Sequence, residues 1–160
     1  VDASRIVFAE RVPHAEHLAR HRLADLFVDT FNCNAHTTAS DALWAGLAVV
    51  TKPGGQFSAR VAASLLNAIG LPELIADTEE AYEALALELA INKGKMALIK
   101  QKLADNRLTQ PLFATELYTK HLESAYQQVY QKFFDGKPTD TIYVSAERFR
   151  SGNNLVNLRN

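Results

Sequence analysis

The chain has 160 residues, enough for one ordinary domain and too few for separate donor and acceptor halves of a large enzyme. Apolar residues make up 48% and charged residues 22%, with Gly 7 and Pro 5, which excludes disordered, collagen-like and low-complexity classes. Lys+Arg 17 against Asp+Glu 18 gives a net charge of -1, so there is no electrostatic footprint of a general nucleic-acid binder and an anionic ligand must be held locally.

The single cysteine, Cys33, forms no internal disulfide and no Cys-rich zinc site, which points to a reducing compartment and best fits the cytoplasm. No apolar run approaches the roughly 20 residues that span a bilayer, so no membrane partner is expected. The opening Val1-Asp2-Ala3-Ser4 lacks an initiator Met and passes at once into a strand-like run, which reads as part of something longer.

Residues 5–76 alternate β-branched or aromatic runs with alanine-rich stretches, the pattern of βα units feeding a parallel sheet. The predicted strands are Arg5–Ala9, Leu26–Asp29, Ala48–Thr51 and Glu73–Ala76, a sheet of about four. Leu26-Phe27-Val28 and Ala48-Val49-Val50 are continuously apolar, as strands covered on both faces should be. Helices are predicted over Ala15–His21, Thr38–Ala45 and Ser58–Ile69, with Gly46 and Gly70 placed to cap two of them. This gives an α/β fold class.

From Asp77-Thr78-Glu79-Glu80, an aspartate cap with an acid three residues later, the pattern is helical. Tyr82, Leu85 and Leu89 recur at helical spacing, as do Met96, Ile99 and Leu103, while Tyr118, Leu122, Ala125, Val129 and Phe133 mark a longer stripe. Gly94 is expected to separate the first two helices, and Gln110-Pro111 the second from the third. Asp135-Gly136-Lys137-Pro138 ends the last, before a polar tail in which Ser151-Gly152-Asn153-Asn154 reads as a loop. The expected organisation is a sheet-bearing part over residues 1–76, helices packing on the same domain over 77–135, and a tail over 136–160.

Three segments carry candidate chemistry. Asp29 to Gly46 runs from the carboxyl end of a buried strand through a polar loop onto a helix start, where open α/β sheets bind ligands. Free N–H groups and the dipole make such a turn an anion site, to which Thr37 and Thr38 add hydroxyls and His36 an imidazole. Thr38-Ala39-Ser40-Asp41 also reads as a plain capping box, and both roles can coexist, with Asp41 free to meet a sugar hydroxyl.

Val12 to Arg22 begins past the first strand, on the same sheet edge. His14, His17 and His21 share a helix face, which suits a solvated basic surface, a nucleoside site with Arg20 at the base's carbonyl edge, or, least well, a metal. Thr51 to Arg60 is a Gly-rich loop that is neither a P-loop nor a dinucleotide fingerprint. It reads as a turn that aims Ser58 at the same crevice, with Arg60 equally suited to a structural ion pair.

Taken together, Arg5-Ile6-Val7-Phe8, Pro13 to His17, Leu23-Ala24-Asp25, Asp29-Thr30, His36-Thr37-Thr38, Asp41, Leu43-Trp44-Ala45-Gly46, Val50-Thr51 and Arg60 to Ser64 form ordered blocks. Glu73 to Ala76 and Pro111-Leu112-Phe113 continue them. Over about residues 5–135 the chain resembles the carboxy-terminal catalytic half of the O-linked N-acetylglucosamine transferases, GT-B enzymes with a tetratricopeptide superhelix. The resemblance implies inverting, metal-independent transfer of N-acetylglucosamine or a related sugar from UDP to Ser or Thr hydroxyls of proteins. No cofactor is implied beyond the UDP-sugar donor.

By the same resemblance, the backbone around Val12 and the side chain of Arg20 face uracil, and His17 packs by the nucleoside. Asp41 meets the ribose, and His36, Thr37 and Thr38 hold the diphosphate. His14 stands where the family usually has lysine, which bears on the ribose contact. The family's phosphate-binding lysine and its active-site residues lie upstream of this chain, so no catalytic residue is expected within it, and the chain alone is expected to bind UDP weakly and not to turn over. A different class of reading keeps the fold as a noncatalytic interaction module using the helices after Asp77.

Overall fold

The computed structural model describes residues 2–145; the predicted loop at 151–154 lies outside them. Among the described residues the chain is largely helical around a small parallel sheet. The strands are β1 (Phe27–Val28) and β2 (Val49–Val50). The helices are α1 (His14–Arg20), α2 (Thr37–Ala45), α3 (Val61–Ala68), α4 (Glu79–Ile91), α5 (Lys93–Asn106) and α6 (Thr115–Phe134), with short 3-10 turns between them.

β1 and β2 pair in parallel with Phe27 opposite Val49 and Val28 opposite Val50. The pairing is extended by Phe27 N–H to the Ala48 carbonyl at 2.8 Å and Asp29 N–H to the Val50 carbonyl at 3.1 Å. Thr51 forms a single parallel bridge with Ile75, so the sheet is two strands plus one bridging residue.

The expected four-strand sheet is corrected at both ends. Arg5–Ala9 is not a strand: Ala3–Arg5 is a 3-10 turn capped by the Asp2 side chain, and Ile6, Val7 and Phe8 are 56%, 87% and 90% exposed. β propensity describes fit to a neighbouring strand, and among the described residues that segment has none. At Glu73–Ala76, Pro72 starts a 3-10 turn through Leu74, which leaves only Ile75 to pair.

The helix expected over Ser58–Ile69 is split, because the 3-10 turn Phe57–Ala59 precedes α3. Thr78, not Asp77, caps α4 by accepting from Ala81 N–H at 3.1 Å. Asn92, not Gly94, separates α4 from α5: it ends one helix and caps the next through Lys95 N–H at 3.0 Å. An Asn side chain supplies the acceptor that a glycine lacks, and Gly94 sits inside the first turn of α5. Gly46 ends α2 in the left-handed conformation at φ 90, as its position in the sequence suggests.

The core lies between these layers. Ala42 and Leu43 of α2, Val49 and Val50 of β2, Leu66 of α3, Leu89 of α4, and Ile99 and Leu103 of α5 pack in one buried cluster. Arg107, just past α5, donates to the Trp44 carbonyl at 2.8 Å and lies over the Trp44 ring at 5.6 Å. That places a cation at the carboxyl end of α2, where its free carbonyls gather. α6 buries none of its residues. Among the described residues no helix is long and apolar enough to cross a membrane.

Candidate functional site

The site begins with a buried carboxylate at the end of β1. Asp29 Oδ1 accepts from Thr30 N–H at 2.9 Å and Ala35 N–H at 2.7 Å, while Oδ2 accepts from the Thr51 hydroxyl at 2.6 Å. One side chain thus pins both ends of the 30–35 loop and ties it to the end of β2. The Asp29 carbonyl accepts from the Tyr82 hydroxyl of α4 at 2.6 Å. Burial, and then the nearby Asp29 charge, push the Tyr82 phenol up, which keeps it a donor.

A second loop, after β2, locks onto the first. The Ser58 carbonyl accepts from Asn34 N–H at 2.8 Å and from His36 Nε2 at 3.1 Å. Because a carbonyl only accepts, Nε2 carries the proton in this contact. Gln56 Nε2 donates to the Asn32 carbonyl at 3.0 Å. The close approach within the second loop requires glycine at 54, where a Cβ would sit 2.8 Å from the Ala59 Cβ. Arg60 is exposed and follows the 3-10 turn.

These two loops hold the start of α2. The helix begins at Thr37 with His36 as its N-cap, and the His36 side chain makes no capping bond. The expected Thr38 capping box is therefore corrected: Thr38 is already helical, and the His36 carbonyl accepts from Ala39 and Ser40 N–H, both at 3.1 Å. The N–H groups of Thr37 and Thr38 have no protein acceptor among the described residues, and both residues are exposed. A helix start with two open donors is suited to an anion.

α1 lies beside it. His14 Nε2 stands 3.8 Å from Asp41 Oδ2, which brings the first turn of α1 to the second turn of α2. Arg20 donates to the Glu10 carbonyl and to His17 Nδ1, both at 2.7 Å, so its guanidinium fixes the segment through Val12 that leads into α1. Partial burial, then the Arg20 charge and His21, hold His17 below its ordinary 6.5. His21 is turned inward, its Nδ1 2.8 Å from the His17 carbonyl. Among the described residues no three His, Cys, Asp or Glu side chains gather as a metal set.

His14, His36, Thr37, Thr38 and Asp41 thus belong to one joined surface, with His17 and Arg20 further along α1. Asp29, the Ser58 carbonyl and Tyr82 join the site without a role that the sequence pattern assigns them. A carboxylate ending the apolar run Leu26-Phe27-Val28 was the available signal for the first; a backbone carbonyl and a helix residue 53 positions away leave none.

The sequence profile of Glycosyl transferase family 41 matches residues 1–122. The chain belongs to glycosyl transferase family 41. Similar family members include the UDP-N-acetylglucosamine--peptide N-acetylglucosaminyltransferase of Caenorhabditis elegans, 37% identical over 147 residues, covering 92% of this chain and 13% of the relative. A probable UDP-N-acetylglucosamine--peptide N-acetylglucosaminyltransferase SEC of Arabidopsis thaliana is 39% identical over 138 residues, covering 86% of this chain and 14% of that protein. The structure of a K341M mutant of Thermobaculum terrenum O-GlcNAc transferase superimposes with a TM-score of 0.74 at 30% identity, covering 78% of this chain and 24% of that one. This family 41 chain therefore spans a small share of each relative's length.

Proposed function

We propose that this chain is the UDP-binding portion of a GT-B glycosyltransferase that moves N-acetylglucosamine, or a related sugar, from UDP to protein Ser or Thr hydroxyls. Transfer inverts the anomeric centre and needs no metal. The upstream catalytic half and a tetratricopeptide region belong to the same full-length protein, which works in the cytoplasm. The observation that carries this reading is the start of α2, where Thr37 and Thr38 N–H stand open beside the His14 and Asp41 pair.

Departure of UDP puts negative charge on its diphosphate. The two backbone donors, the Thr37 and Thr38 hydroxyls and the helix dipole strengthen their hold as that charge grows, which lowers the barrier without a cation. They need little reorganisation, because the Asp29 and Ser58 contacts have already set the loop. His36 Nε2–H is engaged by the Ser58 carbonyl, so its ring reaches phosphate through Nδ1, and donates there only when doubly protonated. Asp41 accepts from the ribose, His17 flanks the nucleoside, and Val12 and Arg20 face uracil.

The chemical step uses groups from the other half, so the chain alone binds UDP weakly and does not turn over. Calorimetric titration with UDP tests the donor site. Asp41→Ala is expected to weaken binding about tenfold or more, the worth of a hydrogen bond or two in a partly desolvated site. An unchanged affinity in a normally folded variant refutes the assignment. The alternative, a noncatalytic interaction module, is favoured by the exposed Tyr126, Tyr130, Phe133 and Phe134 of α6, and predicts no UDP binding at all.

A further inference from the structure

Lys52 follows Thr51 at the end of β2 and turns into the space between the two loops. Its side chain is only 18% exposed, and its ammonium lies 4.9 Å from the centre of the Phe31 ring. The facing carboxylate, Glu79 Oε1 at the start of α4, stands at 3.7 Å, too long for a hydrogen bond, on a side chain that is 66% exposed. An ammonium held over an aromatic face on a mostly buried side chain, with loose and displaceable counter-charges in the exposed Glu79 and Glu80 at the start of α4, is poised for a second anion.

The space beside it is a cavity of about 780 Å³ lined by Thr30, Asn32, Cys33, Lys52, Gly55 and Gln56, among others. None of His36, Thr37, Thr38 and Asp41 lines it, although the 30–36 loop borders both places. The donor's charge is its diphosphate, which the start of α2 accounts for, and a hexose is neutral. The reactant left to bring an anion to this edge of the sheet is the acceptor.

We propose that Lys52 is a specificity-determining residue that recognises a side-chain carboxylate of the acceptor, close to the hydroxyl that receives the sugar. This rests on the donor-site reading above. Glu79 fills the role of that carboxylate when no acceptor is bound and gives way when one arrives.

The probes are two acetylated, amidated alanine-rich peptides, each with one serine and either a glutamate or a glutamine, titrated into the chain with UDP present. The glutamate peptide is expected to bind the wild-type chain about tenfold tighter than the glutamine peptide. Lys52→Met, which keeps the stem over Phe31, removes that preference while UDP affinity stays within about twofold. Glu79→Gln, which removes the competitor, strengthens glutamate-peptide binding. No preference in the wild-type chain, a preference that survives Lys52→Met, or a loss of UDP affinity in that variant each overturns the proposal, the last by assigning Lys52 to the diphosphate. Absence of UDP binding to the wild-type chain strikes the donor-site reading instead, and is read in a separate titration without peptide.

Discussion

The Thr51 hydroxyl donates to the buried Asp29 carboxylate at 2.6 Å, joining the ends of the two paired strands. The bond satisfies one oxygen of a carboxylate whose other oxygen orders the loop before α2. Thr51→Val keeps the volume and removes the donor, leaving a buried charge short of one partner. The expected loss is about 1.5–3 kcal/mol of stability by urea denaturation, since hydrogen bonds to charged groups are the costly ones to remove. A variant as stable as wild type contradicts this placement of Asp29.

Tyr82 carries the same network to α4. Tyr82→Phe preserves the edge-to-face contact with Phe31, whose ring centre lies 4.9 Å away, and deletes only the hydroxyl bonded to the Asp29 carbonyl. A buried carbonyl left without its donor costs about 1–3 kcal/mol. The helix should persist by circular dichroism while the midpoint of denaturation falls.

The contrast between these residues and the start of α2 explains what the sequence made legible. The polar loop after an apolar strand, leading onto a helix, follows from local pattern alone, and so does Gly46 as a left-handed cap. Pairing is non-local: the apolar run at Ile6-Val7-Phe8 has strand composition, yet only a neighbouring strand makes it one. Ser58 acts through its carbonyl, which no side-chain pattern encodes, and Tyr82 reads as an ordinary core position of an amphipathic stripe until its hydroxyl meets Asp29.

His17 gives stability a pH dependence of known sign. Its imidazole is held below the ordinary 6.5, by burial first and by Arg20 next, so the unfolded chain takes up this proton more readily than the folded one. The contribution is therefore complete above that ordinary value and is lost as pH falls through the range below it. His17→Gln keeps an acceptor for Arg20 and removes the titration. Thermal melts from about pH 8 to pH 5 should fall less steeply in the variant than in wild type. Parallel slopes in the two proteins would remove His17 from this role.

His14, in the first turn of α1, faces Asp41, the proposed ribose contact. Its ring is 73% exposed and stands 3.8 Å from Asp41, so it is near the proposed ribose contact without being enclosed by it. His14→Lys supplies a permanent cation on a longer stem. Because an ion pair at an exposed position is worth about 1 kcal/mol at most, UDP affinity should rise by no more than about fivefold. The gain should shrink as salt is added, since screening acts most on exposed charges. A much larger, salt-insensitive gain would mean that His14 is enclosed when the nucleotide binds, and an affinity that falls would mean that the imidazole itself makes the contact.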